Sequence, residues 1–351
     1  MPTIKKPNQH FDAVLWTGDG TSSKTISSYN FAPDLIWAKN RSDTSIGWSL
    51  YDTVRGAGSE KELATHGTTA EGGDNHDTYG YLSAFTSNGF TGSDGSGSPN
   101  YYFNKSSSTY VAYGWKAGGA STVNTSGSIS SNVSVNTTAG FSIVTYTGTG
   151  ANATVGHGLG VAPKMVIVKN RTQVDGWAIG HSNLTSWAYV LQWDSGAQAS
   201  VSTFFNSNGP TSSVFSVGSA TNTNQSGQSF VAYCFAEIEG YSKFGSYTGN
   251  GSTDGPFQYT GFRPKYVMIK RTDTTADWHV HDAARNTFNV TNNTLYPGTT
   301  DVEDVAHTAV VFDFLSNGFK LRATHPTSNN NGNNYIYVAF AESPFKYSNA
   351  R

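Results

Sequence analysis

Apolar positions along the chain fall into short runs that return in the same order three times. Each round opens with a strand-like run ending in a glycine turn: Ala13-Val14-Leu15-Trp16-Thr17-Gly18-Asp19-Gly20, Ile143-Val144-Thr145-Tyr146-Thr147-Gly148-Thr149-Gly150, and Gly245-Ser246-Tyr247-Thr248-Gly249-Asn250-Gly251. A proline (Pro33, Pro163, Pro264) then precedes an apolar stretch that ends in basic residues: Lys39 and Arg41, Lys169 and Arg171, Lys270 and Arg271. Proline lacks an N–H and suits the first position of a strand, and an unbroken apolar stretch predicts cover on both faces. The next strand carries a tryptophan (Trp48, Trp177, Trp278), which its recurrence marks as a core position. A long loop-rich stretch follows. Order returns at Ser-Asn-Gly (87–89, 207–209, 316–318), where Asn-Gly predicts a tight hairpin with positive φ.

Each round closes on a similar strand: Val111-Ala112-Tyr113-Gly114-Trp115, Val231-Ala232-Tyr233-Cys234-Phe235 and Val338-Ala339-Phe340-Ala341-Glu342, aligned here on their valines. Pro33 and Pro163 are 130 residues apart and Trp48 and Trp177 are 129, while Pro163 to Pro264 and Trp177 to Trp278 are both 101, so the extra length lies between the first two rounds. Self-similarity at such a period is the signature of a repeat architecture. The expected fold is all-β, with three tandem antiparallel β-sandwich (jelly-roll-like) repeats at 11–118, 140–240 and 241–351. An arm at 1–10 and a low-complexity linker at 119–139 complete the division. The expected shape is an elongated chain of three beads, the second and third joined at 239–243 with almost no spacer. The one candidate for a helix is the neighbourhood of 58–63.

Composition narrows the function classes. Charged residues are 13% of the chain against about a quarter in ordinary proteins, aromatics are also 13%, and there are 38 glycines, a balance that suits short strands and tight turns. Net charge is −2 and Lys5-Lys6 is the only notable basic run, which leaves no nucleic-acid footprint. No run of 18 apolar residues suggests a membrane span, and the first ten residues lack a secretory apolar region, so folding in the cytoplasm is expected. Cys234 sits in an apolar strand and reads as a small core residue.

Three chemistries are weighed. Asp74, His76 and Asp77, or Asp301, Glu303, Asp304 and His307, could offer hard ligands to a cation, but neither run has the alternating spacing of a calcium loop. His279 and His281 share one strand face without a third ligand and read as a surface pair. No metal or cofactor is expected. Glycoside hydrolysis needs two carboxylates about 5 to 9.5 Å apart; among seven glutamates, Glu237 and Glu342 read as strand-end residues, and Asp175, Asp194, Asp277 and Asp282 have no evident pairing. Binding is favoured, through the loop aromatics Tyr101, Tyr102, Trp187 and Trp193, because large rigid rings lose little entropy on contact. The basic residues closing the central strands read as charges that block edge pairing.

The Tyr-Thr-Gly-Asn-Gly turn at 247–251, the strand Pro163-Lys164-Met165-Val166-Ile167-Val168-Lys169-Asn170-Arg171, and the ending from Tyr335 to Phe345 with Asn349-Ala350-Arg351 resemble a repeat domain of tailed-bacteriophage virion proteins, especially marine ones, over nearly the whole chain. The resemblance brings no catalytic residues. It implies a virion component made in the host cytoplasm, a tail fibre or similar part that assembles as a homotrimer, contacts other virion proteins and meets a host surface glycan through its loops. The alternatives are a capsid decoration or head fibre and, third, a polysaccharide depolymerase.

Overall fold

A strand that is apolar at every position must be covered on both faces, and the fold meets this demand with two kinds of core. In the computed structural model, which describes residues 3–97 and 100–344, one four-stranded antiparallel arrangement occurs three times. Across each sheet the order is opening, closing, central and tryptophan strand. In unit one these are Phe11–Thr17, Thr109–Trp115, Leu35–Asn40 and Trp48–Asp52; in unit two, Phe141–Thr147, Ser229–Phe235, Met165–Asn170 and Ala178–His181. In unit three they are Ser242–Thr248, Asn334–Pro344, Phe262–Arg271 and Trp278–Asp282. The chain is all-β, and its helices are single turns such as His76–Tyr79; residues 58–63, the sequence's helical candidate, are not helical.

Alternation sends one face of each sheet to a private core and the other to a common one. In unit one Ile36, Ala38 and Ala112 pack under the small sheet Ser23–Ile26, Gly89–Ser93 and Tyr81–Thr86, against Ile26, Leu82 and Phe90. Between them, Leu35, Trp37, Val111, Tyr113 and Trp115 point the other way, into a cluster completed by Met165, Ile167, Trp177 and Tyr233 of unit two and Tyr266, Met268, Trp278 and Phe340 of unit three. The three sheets therefore share one apolar centre. This corrects the expectation of an elongated row of beads: the cover for the second face comes from the other two units.

The contacts between units run in a closed cycle. The indole N–H of Trp48 donates to Tyr296 O of unit three at 2.8 Å, that of Trp177 to Ala64 O of unit one at 2.9 Å, and that of Trp278 to Gln192 O of unit two at 2.7 Å. The central-strand lysines repeat the cycle. Lys39 Nζ donates to Ile46 O (2.6 Å) and to Thr300 O of unit three (3.2 Å). Lys169 reaches Asp175 O and Thr68 O of unit one, and Lys270 reaches Ala276 O and Ser195 O of unit two. These lysines are buried seam residues, which corrects their reading as charges that block edge pairing. Burial lowers Lys39 to about 7 and Lys169 and Lys270 to about 8.

Two of the three seams add a buried acid–base group. Tyr233 Oη donates to Asp52 of unit one at 2.7 Å, and Arg55 Nε holds the same carboxylate oxygen at 2.5 Å. Likewise Tyr113 Oη donates to Asp282 of unit three at 2.7 Å, paired with Arg285 at 2.5 Å. Burial alone would raise the Asp282 carboxyl, but the Arg285 guanidinium and the Tyr113 hydroxyl outweigh it and hold it below its usual range. Beyond them Arg55 and Arg171 share Glu71, and Arg285 and Arg41 share Glu303. At the seam of units two and three the corresponding positions are Val338, His181 and Leu184, so the whole group is replaced together.

That equivalence rests on register. Val111 pairs with Lys39 and Val231 with Lys169, but Lys270 pairs with Ile336. The third closing strand is thus aligned two residues earlier than its Val-Ala similarity suggests, with Ile336, Val338 and Phe340 where unit one has Val111, Tyr113 and Trp115. The Ser-Asn-Gly hairpin occurs in units one and three, between Thr86 and Gly89 and between Leu315 and Gly318, without positive φ. Glycine is needed for space: a Cβ would lie 1.7 Å from Ile26 O at Gly89 and 2.0 Å from Gln258 O at Gly318. In unit two the triplet follows the turn Ser202–Phe205 instead, with Asn206 and Ser207 left-handed.

Residues 119–139 hold the strands Thr122–Asn124 and Ser131–Asn136, the latter pairing with Phe141–Thr147 and extending the sheet of unit two to six strands. The N-terminal stretch is also part of the fold. Met1 and Pro2 lie outside the described residues, but Ile4 is buried in the shared core and Pro7 is buried in the turn Pro7–Gln9. The arm therefore plugs the centre, and removing it cannot leave stability intact. Ile4→Ala is expected to lower unfolding stability by roughly 2 kcal/mol, read as a shift in the guanidinium midpoint at unchanged slope; an unmoved midpoint would place Ile4 outside the folded core.

Candidate functional site

Where the loops of unit one meet unit three, the surface opens into a cleft of about 530 Å³. Its floor is Ile46 and its far wall is Thr300 of unit three, and Lys39 ties both together through their carbonyls. Two tyrosines form an aromatic corner: Tyr79, 40% exposed, meets Tyr101 edge-on with centroids 5.6 Å apart. Lys105 Nζ lies 4.7 Å from the Tyr101 ring centroid and pairs with Asp43 at 2.6 Å. On the other side Asp74 accepts from Tyr102 Oη at 3.0 Å and faces His66 Nε2 at 3.4 Å. Because His66 Nδ1 accepts the Trp48 backbone N–H, the ring proton sits on Nε2, toward Asp74. Burial alone would raise the Asp74 carboxyl; the His66 ring and the hydrogen bond from Tyr102 outweigh it and hold it below its usual range.

Behind this wall lies an arrangement that resembles a nucleophile–base–acid relay. Ser49 Oγ is 2.6 Å from His76 Nε2, and His76 Nδ1 faces Glu62 Oε1 at 3.9 Å and Asp74 Oδ2 at 4.0 Å. A working relay needs the base oriented by a hydrogen bond and the nucleophile open to substrate. Here the acid distances exceed a hydrogen bond, while Ser49 is 1% exposed and His76 and Glu62 are fully buried, with His76 stacked on Tyr102 at 3.6 Å. The group is a polar piece of core. Burial pushes Glu62 up to about 8 and His76 down to about 3, so both are neutral at pH 7.

A pH dependence follows from these two groups. Glu62 binds its proton more tightly folded than unfolded, so its contribution is lost as pH rises from about 4.5 to about 8; His76 is the reverse, and its contribution is lost as pH falls from about 6.5 to about 3. The buried lysines act oppositely to Glu62 above pH 7, so the clean readout is parent against Glu62→Gln at the same pH. The variant is expected to gain on the parent by an amount on the order of a few kcal/mol between pH 5 and 9, measured by urea midpoints. A constant difference across that range would show that Glu62 does not carry the proton.

With the geometry in place, a comparison with protein families gives one match, to a domain of unknown function, DUF7483, over residues 6–344. The chain belongs to the DUF7483 family. No curated protein and no solved structure matches it. The DUF7483 match begins within the arm and runs through the third closing strand, so the family unit takes in all three sheets around the shared core.

The four aromatics expected to bind are distributed unequally in this DUF7483 chain. Tyr101 lines the cleft, and Tyr102 lines it while buried under the loop, its hydroxyl turned to Asp74. Trp193 is buried at the shared core between Trp37 and Trp278, with centroids at 5.3 and 5.1 Å, so its ring is covered by the protein itself. Trp187 is half-buried, edge-on to Phe205 of its own unit. The candidate carboxylates have separate local partners: Glu237 pairs with Lys243, Glu342 with Arg263, and Asp175 accepts from Asn170 and Thr221. His279 and His281 are buried, which corrects their reading as a surface pair. Among the described residues no three His, Cys, Asp or Glu side chains are placed to share a cation. Cys234 is buried, as its strand pattern indicated. Asp43, His66, Tyr79 and Lys105 escaped the sequence reading because they come from three separate loops with no shared spacing.

Proposed function

We propose that this DUF7483 chain is a non-catalytic structural component of a tailed-phage virion, a tail fibre or fibre-like part built from three repeats of one jelly-roll-like sandwich. The observation that supports this most is where the recurrent residues go. The tryptophans, the lysines and the Tyr–Asp–Arg groups, which would be the natural place to seek a shared chemistry, are buried in closing the ring. Recognition is left to loops that differ between units, as expected of a rigid scaffold presenting variable contacts. A capsid decoration or head fibre is the alternative. Gold-labelled antibody on purified particles separates them: label at the tail supports the fibre, label over the head shell supports decoration, and unlabelled particles overturn the virion reading. Release of reducing ends from host polysaccharide would overturn the non-catalytic reading.

The resemblance implies a homotrimer, and the internal threefold closure favours a second reading in which one chain presents what three copies present in a fibre. Light scattering at micromolar concentration decides between three chain masses and one.

A further inference from the structure

We propose that the cleft between units one and three binds a neutral pyranoside, one sugar of a glycan chain, on the exposed ring of Tyr79 beside its edge-on contact with Tyr101. The inference rests on the recognition role proposed above and gives it a place and a ligand chemistry. The cleft's volume of about 530 Å³ lies within the range of roughly 300–1,000 Å³ usual for small-ligand sites. Its apolar lining is the rings of Tyr79 and Tyr101, the buried Tyr102 behind them and Ile46, while Asp43, Asp74 and Thr300 stand around them. A pyranose has this division reversed, with one flat C–H face and a rim of hydroxyls that both donate and accept.

Charge excludes the other obvious occupants. A phosphate or carboxylate needs a cation to itself, but Lys105 is paired with Asp43 and lies over Tyr101, and the His66 ring is occupied by the Trp48 N–H on one side and Asp74 on the other. A divalent cation needs several oxygens converging, yet Asp74 is turned to Tyr102 and His66, and Asp43 to Lys105. A carboxylate already holding one donor can still accept from a sugar hydroxyl, because each oxygen carries two lone pairs. The ligand that fits is therefore uncharged, polar at its edge and apolar on one face. Its contact spans two units, so the site exists only in the closed ring.

The test is saturation-transfer NMR on the full chain, with the methyl glycosides of glucose, galactose and mannose as probes and inorganic phosphate and calcium chloride as competitors. At least one glycoside is expected to receive saturation, strongest on the protons of one ring face, and neither competitor to remove it. Tyr79→Ala is expected to weaken binding about tenfold, whereas Tyr79→Phe, which keeps the ring, retains it. Tyr79 is 40% exposed, so both variants should keep the parent's unfolding midpoint, and that measurement separates lost binding from lost folding. Binding absent for all three glycosides, binding indifferent to Tyr79→Ala, or displacement by phosphate or calcium overturns the proposal. Particle labelling is independent of these outcomes: a chain in the virion that binds no glycoside sinks this site alone, and a glycoside-binding chain missing from the virion sinks the virion reading alone.

Discussion

Asp52→Ala is expected to destabilise the fold by about 3–5 kcal/mol, more than its single carboxylate suggests. Arg55 is fully buried, and its Nε is neutralised by Asp52 at 2.5 Å; its other nitrogens reach Glu71 and the carbonyls of Lys61 and Leu50. Removing Asp52 leaves a buried guanidinium with half its counter-charge and strips the Tyr233 hydroxyl of its acceptor across the seam. The seam of units two and three shows an uncharged solution to the same packing problem, with Val338, Leu184 and the buried His181 in these places. A variant combining Asp52→His, Arg55→Leu and Tyr233→Phe should therefore recover most of the loss, since a buried ionic group can often be exchanged for packed apolar side chains at little cost. Guanidinium unfolding followed by tryptophan fluorescence measures both. A single-variant loss under about 1 kcal/mol, or a triple variant as unstable as Asp52→Ala, would mean the charges are not buried as described.

Trp177→Ala is expected to cost a similar 3–5 kcal/mol, and the shape of the transition is more informative than its size. The indole belongs to the second unit, but it packs in the common centre and donates to Ala64 of the first. Because each unit's inner face is covered by the other two, the loss should lower the midpoint of one cooperative transition for the whole chain. Trp177→Phe keeps most of the apolar contact and leaves the Ala64 carbonyl without its donor, a loss of about 1–3 kcal/mol. A biphasic transition, with one third of the signal shifting and two thirds unmoved, would show three independent beads and remove the shared core.

Much of the local structure was legible. The strands beginning after Pro33 and Pro163, the tryptophans as core, and Cys234 as a buried strand residue all follow from short-range pattern, because alternation and proline's missing N–H act within a few residues; the third central strand departs from it, starting at Phe262 and carrying Pro264 within it at a shift of register. Register was less secure. In Tyr335-Ile336-Tyr337-Val338-Ala339-Phe340 every residue is apolar or aromatic, so a shift by two keeps the same faces and only the pairing of Lys270 with Ile336 settles the alignment. The Asp-x-x-Arg spacing at 52–55 and 282–285, four residues after each tryptophan, was present as a signal for the seam groups and is broken in unit two at His181 and Leu184. Of the cleft, the sequence supplied Tyr101 and Tyr102 as binding residues and Asp74 as a candidate cation ligand; Asp43, Tyr79 and Thr300 join them through chain reversals and a contact between units.

By itself, then, the sequence determined that this is an all-β chain of three similar rounds with apolar central strands that need cover on both faces. Hydrophobic demand is non-directional, and it specifies that a face be buried without naming what buries it. Only the tertiary structure decided that the cover is the other two units, that the arm plugs their centre, and that the lysines are spent on the seams. The cleft has the same origin: it is a gap between surfaces whose residues stand far apart along the chain, and it comes into being only when the ring closes.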